Sequence, residues 1–300
     1  MLSPVVVGVD GSAESLAAAV WAAHEAARRE RPLRLVHASN WHPRQGEGES
    51  ANAAQRHLAR RVLRQAEKHV RATCPDVRLY DEQVEGPATA AMLAAGEGAD
   101  LLVLGSRGLS ALTGLLVGSV SLGVVARATG PVVLVGAGEE STDEHLSAHD
   151  GAASTRTAHR DVVLGVDVGD SCDDVIEFAF RAAQLRHARL RAVHAWHALS
   201  ALGLGPGEVG LVGDHQRADE WLGFLSALLQ PWRDKYPDVE VLEQVVEGRA
   251  TDALVGAASG ASLLVVGHRL TERLVGPRTG PVTHEVIHHV GCPVAVVPHT

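Results

Sequence analysis

Val5-Val6-Val7-Gly8-Val9-Asp10 opens the chain as a strand-like run, and it returns as Val162-Val163-Leu164-Gly165-Val166-Asp167, 157 positions later. Leu35-Val36-His37-Ala38 returns at the same spacing as Ala192-Val193-His194-Ala195. Further along, Pro75-Asp76-Val77 returns as Pro237-Asp238-Val239, and Leu102-Val103-Leu104-Gly105 as Leu264-Val265-Val266-Gly267, now 162 positions later. The second copy has gained five residues between its second and third strands. Ordered self-similarity at so long a period means duplication of a whole domain. The copies span 1–137 and 160–300. The segment 138–159, rich in Glu, Asp, Ser, Thr and Ala without an apolar period, reads as a flexible linker.

Within each copy, short apolar runs alternate with longer Ala-rich amphipathic stretches. The first copy predicts strands near 4–9, 33–38, 77–84, 100–105 and 131–135. Helices are predicted between them, near 14–30, 51–73, 87–97 and 118–128. Gly130-Pro131 stops the last helix and starts the last strand. Strict β–α alternation implies a parallel sheet covered by helices on both faces. The expected fold is therefore α/β: two doubly wound, Rossmann-like, five-stranded parallel sheets of strand order 3-2-1-4-5. Ligands of such sheets bind beyond the carboxyl ends of the strands, where the strand order reverses.

Composition narrows the function classes. Aromatic residues are 3% of the 300, so the core is built from Ala, Val and Leu. A net charge of −9 argues against a general nucleic-acid binder. No apolar stretch has the length and polarity of a membrane span, and Leu101–Val135 is interrupted by Gly, Arg and Ser. Met1-Leu2-Ser3-Pro4 runs directly into the first strand with no signal peptide. Three cysteines, Cys74, Cys172 and Cys292, read as reduced thiols rather than a disulfide framework. A cytoplasmic protein is expected.

After the fourth strand comes Gly105-Ser106-Arg107-Gly108, and then Gly118-Ser119-Val120-Ser121 at the start of a helix. Gly105 and Gly108 let backbone approach a ligand without a Cβ clash. Gly118 and Ser119 sit where unpaired N–H groups favour an anion. Ser119 and Ser121 can donate to phosphate oxygens, and Arg107 can supply positive charge. This is not the common P-loop, which needs a Lys after its last glycine. The only lysines, Lys68 and Lys235, lie near no glycine cluster. Asp10 ends the first strand with Gly11-Ser12 behind it, and the strand order makes the first and fourth strands neighbours. Asp10 and Gly105 are thus expected to face one crevice.

Residues 105–119 match Gly-x2-Gly-x9-Gly-Ser, and on this motif the chain resembles a tandem universal stress protein. The resemblance covers both copies. It implies an adenine nucleotide, ATP with magnesium, at the switch point. By matching positions it implies Val9, Asp10 and Ala38 at the adenosine, Leu104, Gly105, Arg107 and Gly108 in the loop, and Gly118, Ser119, Val120 and Ser121 at the phosphates. It also implies that the apolar edges Val132–Val135 and Val294–Val297 pair, making the chain a pseudo-dimer. A further homodimer of chains is left open by the sequence.

The second copy departs from the motif. Leu270 stands where the second glycine belongs, Pro281 where the hydroxyl belongs, and Val168-Gly169 replace Gly11-Ser12. Asp167, Gly267, Arg269, Gly280 and Thr283 survive as a weaker second site, or an empty one. His284-Glu285-Val286-Ile287-His288 fits the HExxH pattern of zinc proteases, but it aligns with a helix of the first copy and reads as coincidence. His37 and His194 at equivalent strand ends read as structural. Trp41 and Trp196 follow those strands and read equally as crevice rim or packing. Three functions stay open at this point: a regulatory ATP-binding protein without turnover, a slow ATPase or self-phosphorylating enzyme using Ser106, Ser119 or Ser121, and a cyclic AMP-binding or nucleotide-free assembly module.

Overall fold

The computed structural model describes residues 2–39, 49–106, 118–137, 144–146, 158–170, 172–196, 214–270 and 279–300. The first copy runs β1 (Val5–Gly8), α1 (Ala13–Arg28), β2 (Leu33–Ser39), α2 (Glu49–Thr73), β3 (Leu79–Glu85), α3 (Ala88–Gly96), β4 (Leu101–Ser106), α4 (Ser119–Val125) and β5 (Val132–Gly136). The second runs β6 (Val162–Gly165), α5 (Asp173–Arg186), β7 (Leu190–Trp196), α6 (Asp214–Lys235), β8 (Val241–Glu247), α7 (Ala250–Ala258), β9 (Leu263–Arg269), α8 (Pro281–His289) and β10 (Val294–His299).

Each copy has the expected order, but the two sheets are one. Strands run β3-β2-β1-β4-β5-β10-β9-β6-β7-β8 in a single ten-stranded sheet. The join is antiparallel, with Val294 opposite Leu134, Ala295 opposite Val133 and Val296 opposite Val132. All other neighbours are parallel. The physical reason is that β5 and β10 are fully apolar runs. Left as edges they would expose both unpaired backbone and Val/Leu side chains. The outer edges β3 and β8 are different: Asp81 and Glu82 of β3 and Glu243 of β8 blunt them.

Alternation along the strands divides the core in two. Val5, Val7, Leu33 and Leu35 face one side, under α1, α2, α5 and α6. Val6, Leu102 and Leu104 face the other, under α3, α4, α7 and α8. Helix α1 lies close to the sheet because Ala18, Ala19, Ala22, Ala23 and Ala26 are all completely buried. Small side chains along one helical stripe permit that approach.

The copies meet through α1 and α5 as well as through the sheet. Arg29 lies over the Phe178 ring at 5.3 Å, and Arg186 over the Trp21 ring at 5.8 Å. Trp21 and Phe178 are equivalent in the repeat, as are Arg29 and Arg186, so each arginine covers the aromatic of the opposite copy. Glu25 serves both arginines: Arg29 Nε donates to one oxygen at 2.7 Å and Arg186 to the other at 2.8 Å. The repeat places Ala182 at the equivalent position, so one carboxylate occupies a two-fold arrangement.

The linker is not a free tether over its described residues. His145 and His159 form an antiparallel bridge with rings 4.0 Å apart. Glu144 is buried and takes Arg28 at 2.7 Å. A sequence reading sees only polar composition there. The arginines of α1 that anchor it are visible only in three dimensions. Among the described residues no helix is long and apolar enough to cross a membrane.

Candidate functional site

Asp10 follows β1, and Gly11 turns the chain with φ +88°, a backbone conformation that disfavours other residues. Ser12 then caps α1, its hydroxyl oxygen accepting from the Ser15 N–H at 3.2 Å. Ser12 also fixes the carboxylate. Its N–H donates to Asp10 Oδ1 at 2.9 Å, and its hydroxyl donates to the same oxygen at 2.6 Å. The Asp10 N–H donates to the Ser15 hydroxyl at 3.3 Å. Burial pushes the Asp10 carboxyl up, but these bonds outweigh it and hold it below the usual carboxylate range. Asp10 is therefore an anion at neutral pH with its second oxygen left for a ligand.

Across the crevice, Gly105 packs directly on the first turn of α1. A Cβ there would sit 2.7 Å from the Glu14 carbonyl carbon and 2.8 Å from the Ser15 nitrogen. Ser121, in the first turn of α4, donates its hydroxyl to the Gly105 carbonyl at 2.9 Å. That bond ties the start of α4 to the end of β4, with Gly118 at the N-cap and Ser119 next to it. The resulting cleft has about 130 Å³ among the described residues. Val9, Asp10, Ala38, Leu104, Gly105, Val120 and Ser121 all line it. Arg107 and Gly108 lie outside the described residues. Ser12, Ser15, Ala88 and Met92 also line it, and the sequence reading assigned them no role. The Asp-x-Ser spacing ahead of an amphipathic helix was the signal for Ser12. Nothing local marks Met92, which arrives on α3.

The second copy forms a cleft at the equivalent place, about 430 Å³, and Asp167, Gly267, Arg269, Gly280 and Thr283 all line it. Thr283 repeats the tie of Ser121, donating to the Gly267 carbonyl at 2.9 Å. The rest has changed. Gly169 has no hydroxyl, so Asp167 Oδ1 receives only the Gly169 N–H, at 3.0 Å. Helix α5 starts at Asp173 behind Cys172, which makes no side-chain cap, where the register of the repeat would start it at Asp170. Arg269 is ion-paired with Asp170, so its charge is already compensated. His299 fills the space beside Gly267, where a Cβ would meet its ring at 2.9 Å. Burial, together with Asp170, Asp173 and Asp167, pushes the Cys172 thiol up to about 11.

The two strand-end histidines are structural. His37 Nδ1 lies 2.7 Å from the Val9 carbonyl and His194 Nδ1 lies 3.1 Å from the Val166 carbonyl, each as donor. Trp196 is core, and Trp41 lies outside the described residues. In the HExxH segment, Glu285 accepts from the Thr251 hydroxyl at 2.8 Å and faces Arg249 at 3.7 Å. His284 and His288 pack edge to face at 4.9 Å. Among the described residues no group of three His, Cys, Asp or Glu is placed to hold a metal ion.

Comparison with known proteins agrees with this geometry. The model of the universal stress protein family matches residues 1–136 and again 159–298. A universal stress protein of Mycobacterium tuberculosis is 33% identical over 300 residues, covering 97% of this chain and 96% of its own. The crystal structure of a universal stress protein from Archaeoglobus fulgidus covers 100% of both chains with a TM-score of 0.74 at 16% identity, a likeness of fold. A crystal structure of a universal stress protein in complex with cAMP is 30% identical, covering 45% of this chain and 98% of its own, with a TM-score of 0.36. The chain belongs to the universal stress protein family, as two of its domains in tandem.

Proposed function

We propose that this chain is a regulatory stress-response protein that binds ATP in its first cleft and does not turn it over. The observation that supports this best is the Asp10 carboxylate, ionised and pinned by Ser12 at the mouth of an otherwise apolar cleft. Such a group accepts hydrogen bonds from ribose hydroxyls, while Val9, Ala38, Leu104 and Met92 form walls for a flat base. The polyphosphate would lie toward Gly105, Gly118 and Ser119, with Arg107 and Gly108 completing the motif. Magnesium would be held by phosphate oxygens rather than by a protein cage. Among the described residues, Asp10 is the one ionisable side chain lining this cleft. It is already committed as a hydrogen-bond acceptor, which favours binding over hydrolysis.

The second cleft is proposed to be the poor site. Its arginine is neutralised by Asp170, its helix start carries Pro281, and Asp167 adds negative charge. Calorimetry with ATP and magnesium tests both statements. We expect one nucleotide per chain, an affinity loss of about tenfold or more (about 1.4 kcal/mol) in Asp10→Ala, and no loss in Asp167→Ala. Two nucleotides per chain would refute the asymmetry. Phosphate release above background that vanishes in Asp10→Ala would refute the absence of turnover.

A further inference from the structure

The duplication builds one groove twice, away from the nucleotide clefts. It lies where the third helix of a copy ends and its last two strands begin. In the first copy it is formed around Leu93, Ala99 and Arg127–Pro131 and has about 180 Å³. In the second copy the equivalent groove, around Val255, Ala261 and Val290–Pro293, has about 360 Å³. Three groups without counterparts in the first groove line it: Trp21 from the opposite copy, and Glu144 and Arg160 from the linker.

Two of these carry buried polar atoms with no partner. Trp21 is 6% exposed and its indole Nε1 makes no hydrogen bond. Glu144 is 4% exposed, and while its Oε2 takes Arg28, its Oε1 has none. An unsatisfied buried donor or acceptor costs about 1–3 kcal/mol, and a charged one more. One atom is a donor and the other an anionic acceptor, so the complementary group must carry both polarities. Arg160 adds a guanidinium, anchored by its Nε donating to the His145 carbonyl at 2.8 Å. The carboxyl ends of α7 and α8 also border the cavity, through Ser259 and Val290, and a helix C-terminus favours a cation. The remaining wall is apolar.

We infer that this inter-copy cavity is a second ligand site, and that it takes a small zwitterion with an apolar tail, a free branched-chain α-amino acid. The ammonium group meets Glu144 Oε1 and the helix carboxyl ends. The carboxylate meets Arg160 and the Trp21 N–H. The side chain lies on Val255, Ala261 and Pro293.

The test is calorimetry on the full chain with L-leucine, isocaproate, which lacks the ammonium, and isopentylamine, which lacks the carboxylate. Saturable leucine binding is expected, with both analogues weaker by about tenfold or more. Trp21→Phe keeps the ring under Arg186 and removes only the N–H. It should weaken leucine about tenfold and leave ATP binding unchanged. Gly291 borders the cavity, and a Cβ there meets nothing within 4 Å. Gly291→Leu should therefore fold normally, fill the cavity and abolish leucine binding. No leucine binding at millimolar concentration overturns the inference, as does an isopentylamine affinity equal to that of leucine. Undiminished leucine binding in Gly291→Leu overturns it too.

Discussion

Glu25 and Arg186 are joined by a 2.8 Å ion pair across the two copies, with both side chains fully buried. They stand 161 positions apart in sequence. Arg29 completes the carboxylate, and Arg28 lies 3.4 Å away on the same helix. A buried carboxylate is tolerable only because its oxygens are fully partnered by fixed cations.

Removing that carboxylate leaves arginines buried without compensation. Glu25→Ala should destabilise the chain by about 3–5 kcal/mol, the usual cost of breaking one side of a buried pair. The denaturant midpoint is the measurement. A double variant, Glu25→Leu with Arg186→Met, should recover much of the loss, since it removes both charges. If the double variant is as unstable as the single one, the ion pair is not the cause.

Acid should unfasten the same interface. Burial pushes the Glu25 carboxyl up, but Arg186, Arg29 and Arg28 outweigh it and hold it far below the ordinary 4.5. The unfolded chain therefore takes up that proton first. The stability contributed by Glu25 is present above pH 4.5 and lost as pH falls below it. Burial, with Arg28 and His145, lowers His159 from the ordinary 6.5 to about 4. Its Nε2 faces an Arg28 nitrogen at 3.1 Å, and since arginine only donates, this imidazole nitrogen must stay unprotonated. Stability should thus already decline as pH falls from 6.5 toward 4. A urea midpoint measured from pH 8 to 4 should show both phases. His159→Gln should flatten the upper phase and leave the lower one.

Equivalent glycines should respond unequally. Gly105→Ala forces a methyl into the backbone of α1 at 2.7–2.9 Å, and backbone cannot yield without moving the helix. A cost of about 1–3 kcal/mol is expected, together with loss of nucleotide binding. Gly267→Ala meets the His299 ring, a side chain that can turn aside. Its thermal midpoint should fall less. Equal losses would mean that the first turn of α1 is not what confines Gly105.

Ser12 has two tasks that one substitution tests together. Ser12→Ala removes the α1 cap, at about 1 kcal/mol. It also removes the shortest bond to Asp10, so the carboxyl should titrate higher. NMR titration of Asp10 should show that rise. ATP affinity should fall further than the stability loss accounts for. An unmoved Asp10 titration would show that the hydroxyl does not hold the carboxylate.

Much of the fold was legible because parallel strands are buried on both faces and write themselves as runs such as Val5-Val6-Val7 and Leu101-Leu102-Val103-Leu104. The first cleft was legible as far as backbone chemistry dictates it. Gly11 needs a left-handed turn, Gly105 needs a close approach, and Asp10 follows the strand that neighbours β4. Met92 and Ala88 were not legible, because a cleft wall from another helix leaves no local pattern.

The sequence by itself determined the duplication, the α/β alternation, the strand order within each copy and the loss of the glycine motif in the second. All of these follow from short-range periodicity and from residues whose backbone freedom is intrinsic. Only the tertiary structure decided that the two sheets fuse through Leu134 and Val294, and that Glu25 sits between two arginines. It also decided that Asp170 neutralises Arg269, and that the linker returns Glu144 and Arg160 to a cavity beside Trp21. These are pairings between residues far apart in the chain. Charge compensation and packing select them from many that composition allows, and only the completed fold brings the partners within reach.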